Sequence, residues 1–472
     1  MMNSVQRAAA VLGILLAARG LVPLTACARD YDVLRYGAKG DGRTLNTRAI
    51  QKTIDHCSTA GGGTVTVPQG TFVTGMLEMR DDVTLNLEKG AVLQSSIDQK
   101  DFPAAGPHAQ CLLAMYRVNN ASLTGEGTLD GRGDRFTVKN EAPGRPFVVL
   151  VQNSRNIRIR DVNLINAARW TLRLLASESV RVQGLRIHSL TNYNNDGIDI
   201  DGKDIIVSDC NIQCDDDAIC LKSDGDSFCE NVVVTNCVLR TNRNFIKFGT
   251  ASRTGFRNIA ISNITMGTAL DDHLTNWDKR IIGVTDPITG IAGIALEIVD
   301  GGVMERVTIT NITMDGVQTP LFIKVGKRTP PVGALKNILI SNVAAKSCSQ
   351  ISSSITAVPG AFVENVTLRD FMVSVTGGGN LEQATRDVIE NEKGYPENRM
   401  FGDSLPGYGL YIRHARNIVL DNVQFELLQP DMRSAIFLED AHDVRIHHLK
   451  ADPPQGEEPL IRQINTSAIT VD

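Results

Sequence analysis

From Asn156 the chain reads NIRIRDVNLIN, and the same phrase returns at Ser179 (SVRVQGLRIHS), Asp204 (DIIVSDCNIQC), Asn231 (NVVVTNCVLRT) and Asn258 (NIAISNITMGT). In each copy apolar and polar residues alternate, break at Asn, Asp or Gly, and alternate again. A period of two places every second side chain on one face of a strand. Successive starts are 23, 25, 27 and 27 residues apart. Further copies begin at Arg306 (RVTITNITMDG), Asn337 (NILISNVAAKS), Asn365 (NVTLRDFMVSV), Asn417 (NIVLDNVQFEL) and Asp443 (DVRIHHLKA). A period of two nested in a longer, near-constant period describes a parallel β-solenoid, one repeat per coil. The recurrent Asn suits a tight turn, because it tolerates left-handed backbone and hydrogen-bonds its own main chain. Stacked coils line such amides into ladders. A β-sandwich would show turns every ~8–12 residues without one recurring phrase. The wider gaps at 258–306 and 365–417 read as inserted loops or an extra coil. The expectation is an all-β, single-domain solenoid over 29–472.

Working outward, the N-terminal side carries a cap and an export signal. Leu45 to Cys57 (LNTRAIQKTIDHC) has helical apolar spacing at 45, 50, 54 and 57, entered by Asp41-Gly42 and ended by Gly61-Gly62-Gly63. A short helix there covers the open end of a solenoid, an edge that otherwise invites aggregation. Residues 1–28 read as an export signal: Arg7 is the positive region, and Ala8 to Ala18 (AAAVLGILLAA) is an apolar stretch too short for a membrane span. Two processing patterns overlap. Ala26-Cys27-Ala28 is an A-x-A cleavage site, and Leu24-Thr25-Ala26-Cys27 is a lipobox that would attach the protein to a membrane through a lipidated Cys27. Both place the mature chain outside the cytoplasm, as a periplasmic, secreted or outer-membrane lipoprotein.

Composition narrows the partners. Of 472 residues, 48 are Lys or Arg and 53 are Asp or Glu, a net charge of −5 with no basic block, which argues against nucleic acid. Nine cysteines are present; setting Cys27 aside leaves eight. Export permits disulfides, but their pairing is not legible. Cys210 and Cys214 have a C-x3-C spacing that zinc also uses. These cysteines fall in alternating strand runs with no nearby His pair, so buried thiols or a disulfide are expected, and no metal or cofactor.

The chemistry concentrates in Asn194 to Asp226 (NNDGIDIDGKDIIVSDCNIQCDDDAICLKSDGD). Asp199, Asp201, Asp204 and Asp209 read as turn residues. An EF-hand is excluded, since taking Gly202 as the loop glycine puts Gly197 and Ser208 where acids are required. Asp196 and the Asp215-Asp216-Asp217 triplet differ. Asp196 and Asp216 are 20 residues apart, close to one coil. Residues one coil apart stack at roughly 4.8 Å. Crowded carboxylates repel, so some must hold a proton unless a cation compensates. A protonated carboxyl beside an ionised one is what acid/base glycoside hydrolysis needs; a calcium site or a charged turn are the alternatives.

These residues carry a resemblance. Asn194-Asn195-Asp196-Gly197-Ile198-Asp199 resembles the N-T-D-G-x-D motif of glycoside hydrolase family 28, the polygalacturonase family, and Asp216-Asp217-Ala218-Ile219-Cys220-Leu221-Lys222-Ser223 resembles its D-D-C-I-A-I-K-S segment. Tyr36 to Gly42 (YGAKGDG), Gly62 to Pro68 (GGTVTVP) and Gly125 to Gly131 (GEGTLDG) are similar to stretches of pectinase-type right-handed parallel β-helices. The resemblance covers almost the whole mature chain. It implies an inverting hydrolase of pectic α-glycosidic bonds, with Asp216 as general acid and Asp196 and Asp217 positioning and deprotonating the water. Asp215 falls outside the trio.

Two motifs of that family are missing. Its G-H-G segment aligns with Arg243 to Thr250 (RNFIKFGT), so Asn244 stands where the histidine would be. Its R-I-K segment, which grips a uronate carboxylate, aligns with Gly293 to Glu297 (GIALE), where Ala295 and Glu297 replace the cations. Glu297 repels a carboxylate, so a neutral sugar, such as the rhamnose of rhamnogalacturonan, is expected in that subsite. Lys222, Lys247 and Arg243 either bind a uronate elsewhere or neutralise the aspartates. Asn194, Asn244, Lys222, Lys247 and Glu297 are the candidate substrate contacts, joined by Trp277 from the loop at 268–292 and Tyr395 from the loop at 376–411. Long loops beside the groove suggest action on chain ends. Two other readings compete: a carbohydrate-binding β-helix that has lost activity with its histidine, and a calcium-dependent pectate lyase, which needs an arginine base beside the aspartates that this alignment does not supply.

Overall fold

The computed structural model describes residues 29–103, 108–136, 144–269, 290–394 and 398–472. The export segment with Cys27, and the loop residues Trp277 and Tyr395, lie outside the described residues. The rest winds as one parallel β-helix. Every ladder joins a strand to one in the next coil in parallel, as where Leu172 pairs with Ile198, Ile198 with Ile219, and Ile219 with Ile246. Leu113, Val149, Leu172, Ile198, Ile219, Ile246, Ile294 and Leu321 form one inward column through eight coils, all fully buried. Burial of each such aliphatic side chain contributes about 1.5–3 kcal/mol, which drives the winding.

The turns follow the sequence. Asn231 and Asn258 hold φ of 56° and 56°, and Asn258 Nδ2 donates to Asn231 Oδ1 at 3.1 Å while Asn231 Nδ2 donates to Asp204 Oδ1 at 2.7 Å. Asn342, Asn311, Asn263 and Asn236 make a second ladder, with steps of 3.0, 3.0 and 3.1 Å. The wide gaps are inserted loops and not extra coils, because Ile259 pairs directly with Val307 and Val366 with Ile418. The cap helix spans Thr47–Thr59 and buries Ile50, Ile54 and Cys57; Leu45 falls in the preceding strand and is exposed. The eight described cysteines are buried free thiols, so the disulfide alternative does not hold.

Candidate active site

The site grows from one column of turn residues on consecutive coils. Thr171 N donates to Asp196 O, Gly197 N to Asp217 O, and Ala218 N to Asn244 O, each at 2.9 Å. These bonds stack Trp170, Asp196, Asp217 and Asn244 in order. Asp196 therefore faces Asp217 across the coil step, and not Asp216 as the 20-residue spacing suggested. Asp216 sits beside Asp217 in the same turn, its Oδ1 accepting from Asp217 N at 2.9 Å. Asn195 Oδ1 fixes that turn by accepting from Asp215 N and Asp216 N, both at 3.0 Å. Asp215 is held by Asn242 Nδ2 at 2.7 Å.

The three aspartates are electrostatically unequal. Asp217 accepts from Lys247 Nζ at 2.8 Å and from Asn244 Nδ2 at 2.8 Å. Burial pushes its carboxyl up, but Lys247, Lys222 and Asn244 outweigh burial and hold it below the usual range. Asp196 is raised well above that range, first by burial and then by the charges of Asp199 and Asp216, with Lys222 opposing. Asp216 is raised by burial and by Asp217, with Arg243 and Lys247 opposing. Asp216 alone of the trio keeps intermediate exposure. The cluster thus joins one carboxyl held down with two pushed up, the more accessible of the two being Asp216.

Cations of the protein already fill the cluster. Lys222 Nζ lies 3.1 Å from Asp199 Oδ1, 3.7 Å from Asp196 Oδ2 and 3.2 Å from Cys220 Sγ. Ligand atoms of Asp196, Asp217 and Cys220 lie within 4.8 Å of one another; the Lys222 ammonium supplies positive charge to two of these groups. Asp199 and Asp201 are not turn residues: they lie in the strand Ile198–Ser208, where Asp199 pairs with Lys222 and Asp201 Oδ2 accepts from Asp224 N at 3.0 Å. Asp204 and Asp209 are turn residues, with φ of 56° and 60°.

The remaining expected contacts divide by access. Asn194 is half-buried and its Oδ1 accepts from Arg145 Nη2 at 3.0 Å. Asn244 and Glu297 are buried. Glu297 sits in register with Lys324, the next coil's residue. Beyond them a segment from the long loop covers the sheet: Val388, Phe401 and Leu405 pack on Ala292, Ala295, Phe322 and Tyr411. Arg413 Nη1 secures it by donating to Val388 O at 2.6 Å.

Sequence reading missed the other side of the groove. Trp170 precedes Asp196 by one coil and keeps intermediate exposure. Its ring stacks on Phe147 at 5.4 Å, and Lys222 Nζ lies 5.1 Å from its centroid. Counting one coil back from Asp196 would have found it.

A model of Glycosyl hydrolases family 28 matches residues 57–393. The chain belongs to that family, and its fold is the right-handed parallel β-helix of its neighbours. It is 30% identical over 256 residues to an exo-poly-alpha-D-galacturonosidase of Dickeya chrysanthemi, covering 41% of this chain and 42% of that one. It is 21% identical over 385 residues to an exopolygalacturonase of Platanus acerifolia, covering 75% and 93% respectively. The chain spans half or less of the length of several relatives it matches. Among solved structures, an exopolygalacturonase from Thermotoga maritima superposes with a TM-score of 0.60 at 17% identity, over 84% of this chain and 92% of that one.

Proposed function

We propose that this protein hydrolyses α-glycosidic bonds of a pectic polysaccharide or oligosaccharide with inversion, after export, at a rhamnogalacturonan-type or other non-homogalacturonan linkage. The observation that carries this reading is the unequal environment of three clustered aspartates, with Asp196 stacked on Asp217 and Asp216 beside it. Asp216, accessible and proton-retaining, donates to the departing glycosidic oxygen. Asp217, kept ionised by Lys247 and Asn244, takes up the proton of the attacking water, which Asp196 helps to hold in place. Lys222 and Lys247 serve the aspartates and leave no free ammonium for a uronate. Ala295, packed under Val388, Phe401 and Leu405, and the buried Glu297 provide no carboxylate clamp either. The same cover ends the groove on that side, which favours action at chain ends.

The test is a product screen with purified mature protein on homogalacturonan, rhamnogalacturonan oligosaccharides and neutral pectic side chains, beside Asp216→Asn. Release of sugar only from rhamnose-containing or neutral substrates, lost in the variant, supports the reading; efficient cleavage of homogalacturonan overturns its specificity. Asn244 in place of the histidine favours a second reading, a binding protein, for which glycan binding without turnover would speak. Activity abolished by EDTA, with products absorbing in the ultraviolet, would instead indicate a lyase.

A further inference from the structure

We infer that Arg169 anchors a hexuronate carboxylate in the subsite on the Trp170 side of the catalytic aspartates. The inference rests on the pectic hydrolase reading and adds to it the placement of the acidic sugar. Arg169 is half-buried, and its guanidinium carbon lies 5.0 Å from the Trp170 centroid and 5.6 Å from that of Phe147. Its Nε is buried without a hydrogen-bond partner, and among the described residues no carboxylate pairs with the side chain. The neighbouring arginines are engaged: Arg173 Nη2 with Asp224 at 2.6 Å, and Arg145 with Asn194 at 3.0 Å. Among the described residues Arg169 is thus a preoriented cation without a paired anion, lying on an aromatic platform one coil from the Asp196 turn.

The chemistry of that arrangement selects the ligand. A guanidinium presents parallel donors that fit a carboxylate in bidentate fashion. The half-buried Trp170 ring beside it, backed by the buried Phe147, offers apolar surface to a sugar. On the opposite side Ala295 and Glu297 offer no cation, and Arg413 is buried with its Nη1 donating to Val388 O. A substrate with its uronate on the Arg169 side and a neutral sugar on the other matches both halves, and a chain alternating galacturonate with rhamnose has this order.

The test measures binding with catalysis disabled. Calorimetry on Asp216→Asn uses a rhamnogalacturonan oligosaccharide, the same oligosaccharide with its carboxyls reduced to hydroxymethyl groups, and a homogalacturonan oligosaccharide. The acidic form should bind about 10- to 100-fold more tightly than the reduced form, the range of a charge-assisted contact. Adding Arg169→Gln should erase that difference and leave the reduced form's affinity unchanged; Arg169→Lys should restore part of it. Equal binding of acidic and reduced forms by Asp216→Asn, or equal weakening of both by Arg169→Gln, overturns the inference. If homogalacturonan alone binds, with the same dependence on Arg169, the anchor stands and the rhamnogalacturonan reading falls. Binding of none of the three sinks both.

Discussion

Lys247 donates to Asp217 at 2.8 Å across one coil step, and both side chains are almost fully buried. Neither is stable there alone. A buried carboxylate without its cation takes up a proton, and a buried ammonium without its anion loses one. The pair, with Asn244 on the second Asp217 oxygen, fixes a negative charge in the turn, and burial together with that charge pushes the Asp216 carboxyl above its usual range. Lys247 therefore holds Asp217 down and opposes the rise of Asp216.

Lys247→Met should move the acidic limb of the kcat/KM–pH profile to higher pH, because Asp217 then ionises later. The variant should also lose about 3–5 kcal/mol of stability, the usual cost of orphaning a buried charge. The double variant Asp217→Asn/Lys247→Met should recover much of that stability and none of the activity. A Lys247→Met profile that superposes on the wild type would remove Lys247 from this role.

Asp216 carries a stability cost with a definite sign. Its carboxyl is raised in the folded state, so its favourable contribution is complete below the unfolded pKa and is lost as pH rises through the folded one. Asp216→Asn cannot ionise and avoids that loss. The inactive variant should therefore melt higher than wild type at neutral pH, with the gap closing as pH falls towards the unfolded value of 3.8. Thermal melts across that range decide it; a gap that widens on acidification contradicts the sign.

The same physics explains which features were legible in the sequence. Coil winding was, because inward columns impose a period of two and ladder turns demand Asn or Asp at fixed places. The aspartate cluster was, because like charges concentrate nowhere without a reason. Which acid stacks on Asp196 was not: the strands pair Ile198 with Ile219, one residue beyond the 20-residue spacing, and the bond from Gly197 N to Asp217 O reveals it. Asp199 was misplaced because a buried acid paired to Lys222 looks, in sequence, like a solvated turn. The groove cover from Val388, Phe401 and Leu405 has no periodicity, so its partners depend on a loop path that pattern alone does not encode. Arg169 and Trp170 lie outside the acidic motifs that drew attention.

The ladder turns make a separable prediction. Asn258 contributes its amide to the ladder and tolerates a φ of 56°. Asn258→Ala should cost about 1–2 kcal/mol for the left-handed backbone and about 1 kcal/mol for each of the two lost hydrogen bonds, one to Asn231 and one from Arg306. Asn258→Gly removes only the hydrogen bonds, so it should be the milder change. Chemical denaturation compares them; equal losses would mean that the conformation contributes nothing.

On the proposed reading, the cover formed by Val388, Phe401 and Leu405 sets where along a chain the protein cuts. Phe401 packs its ring against Lys324 Nζ at 5.1 Å and Arg413 at 5.6 Å, and joins Val388 and Leu405 in sealing Ala295 and Phe322. Lys324 is held down to about 8 by burial and by Arg413, so the ring shields a cation that water would otherwise reach. Phe401→Ala removes that shield at a cost of about 3–5 kcal/mol and loosens the seal. Lys324 should then regain a more ordinary pKa, and sheet surface beyond Asn244 should open to additional sugars. On a long soluble substrate, wild type should release small products from the start, with slow loss of viscosity. Phe401→Ala should lower viscosity faster per bond cleaved and release longer early fragments. Chromatography of early products beside viscometry separates the outcomes: an unchanged product ladder in a folded variant would show that the cover does not set chain-end action, and early long fragments from the wild type would show that the groove is already open.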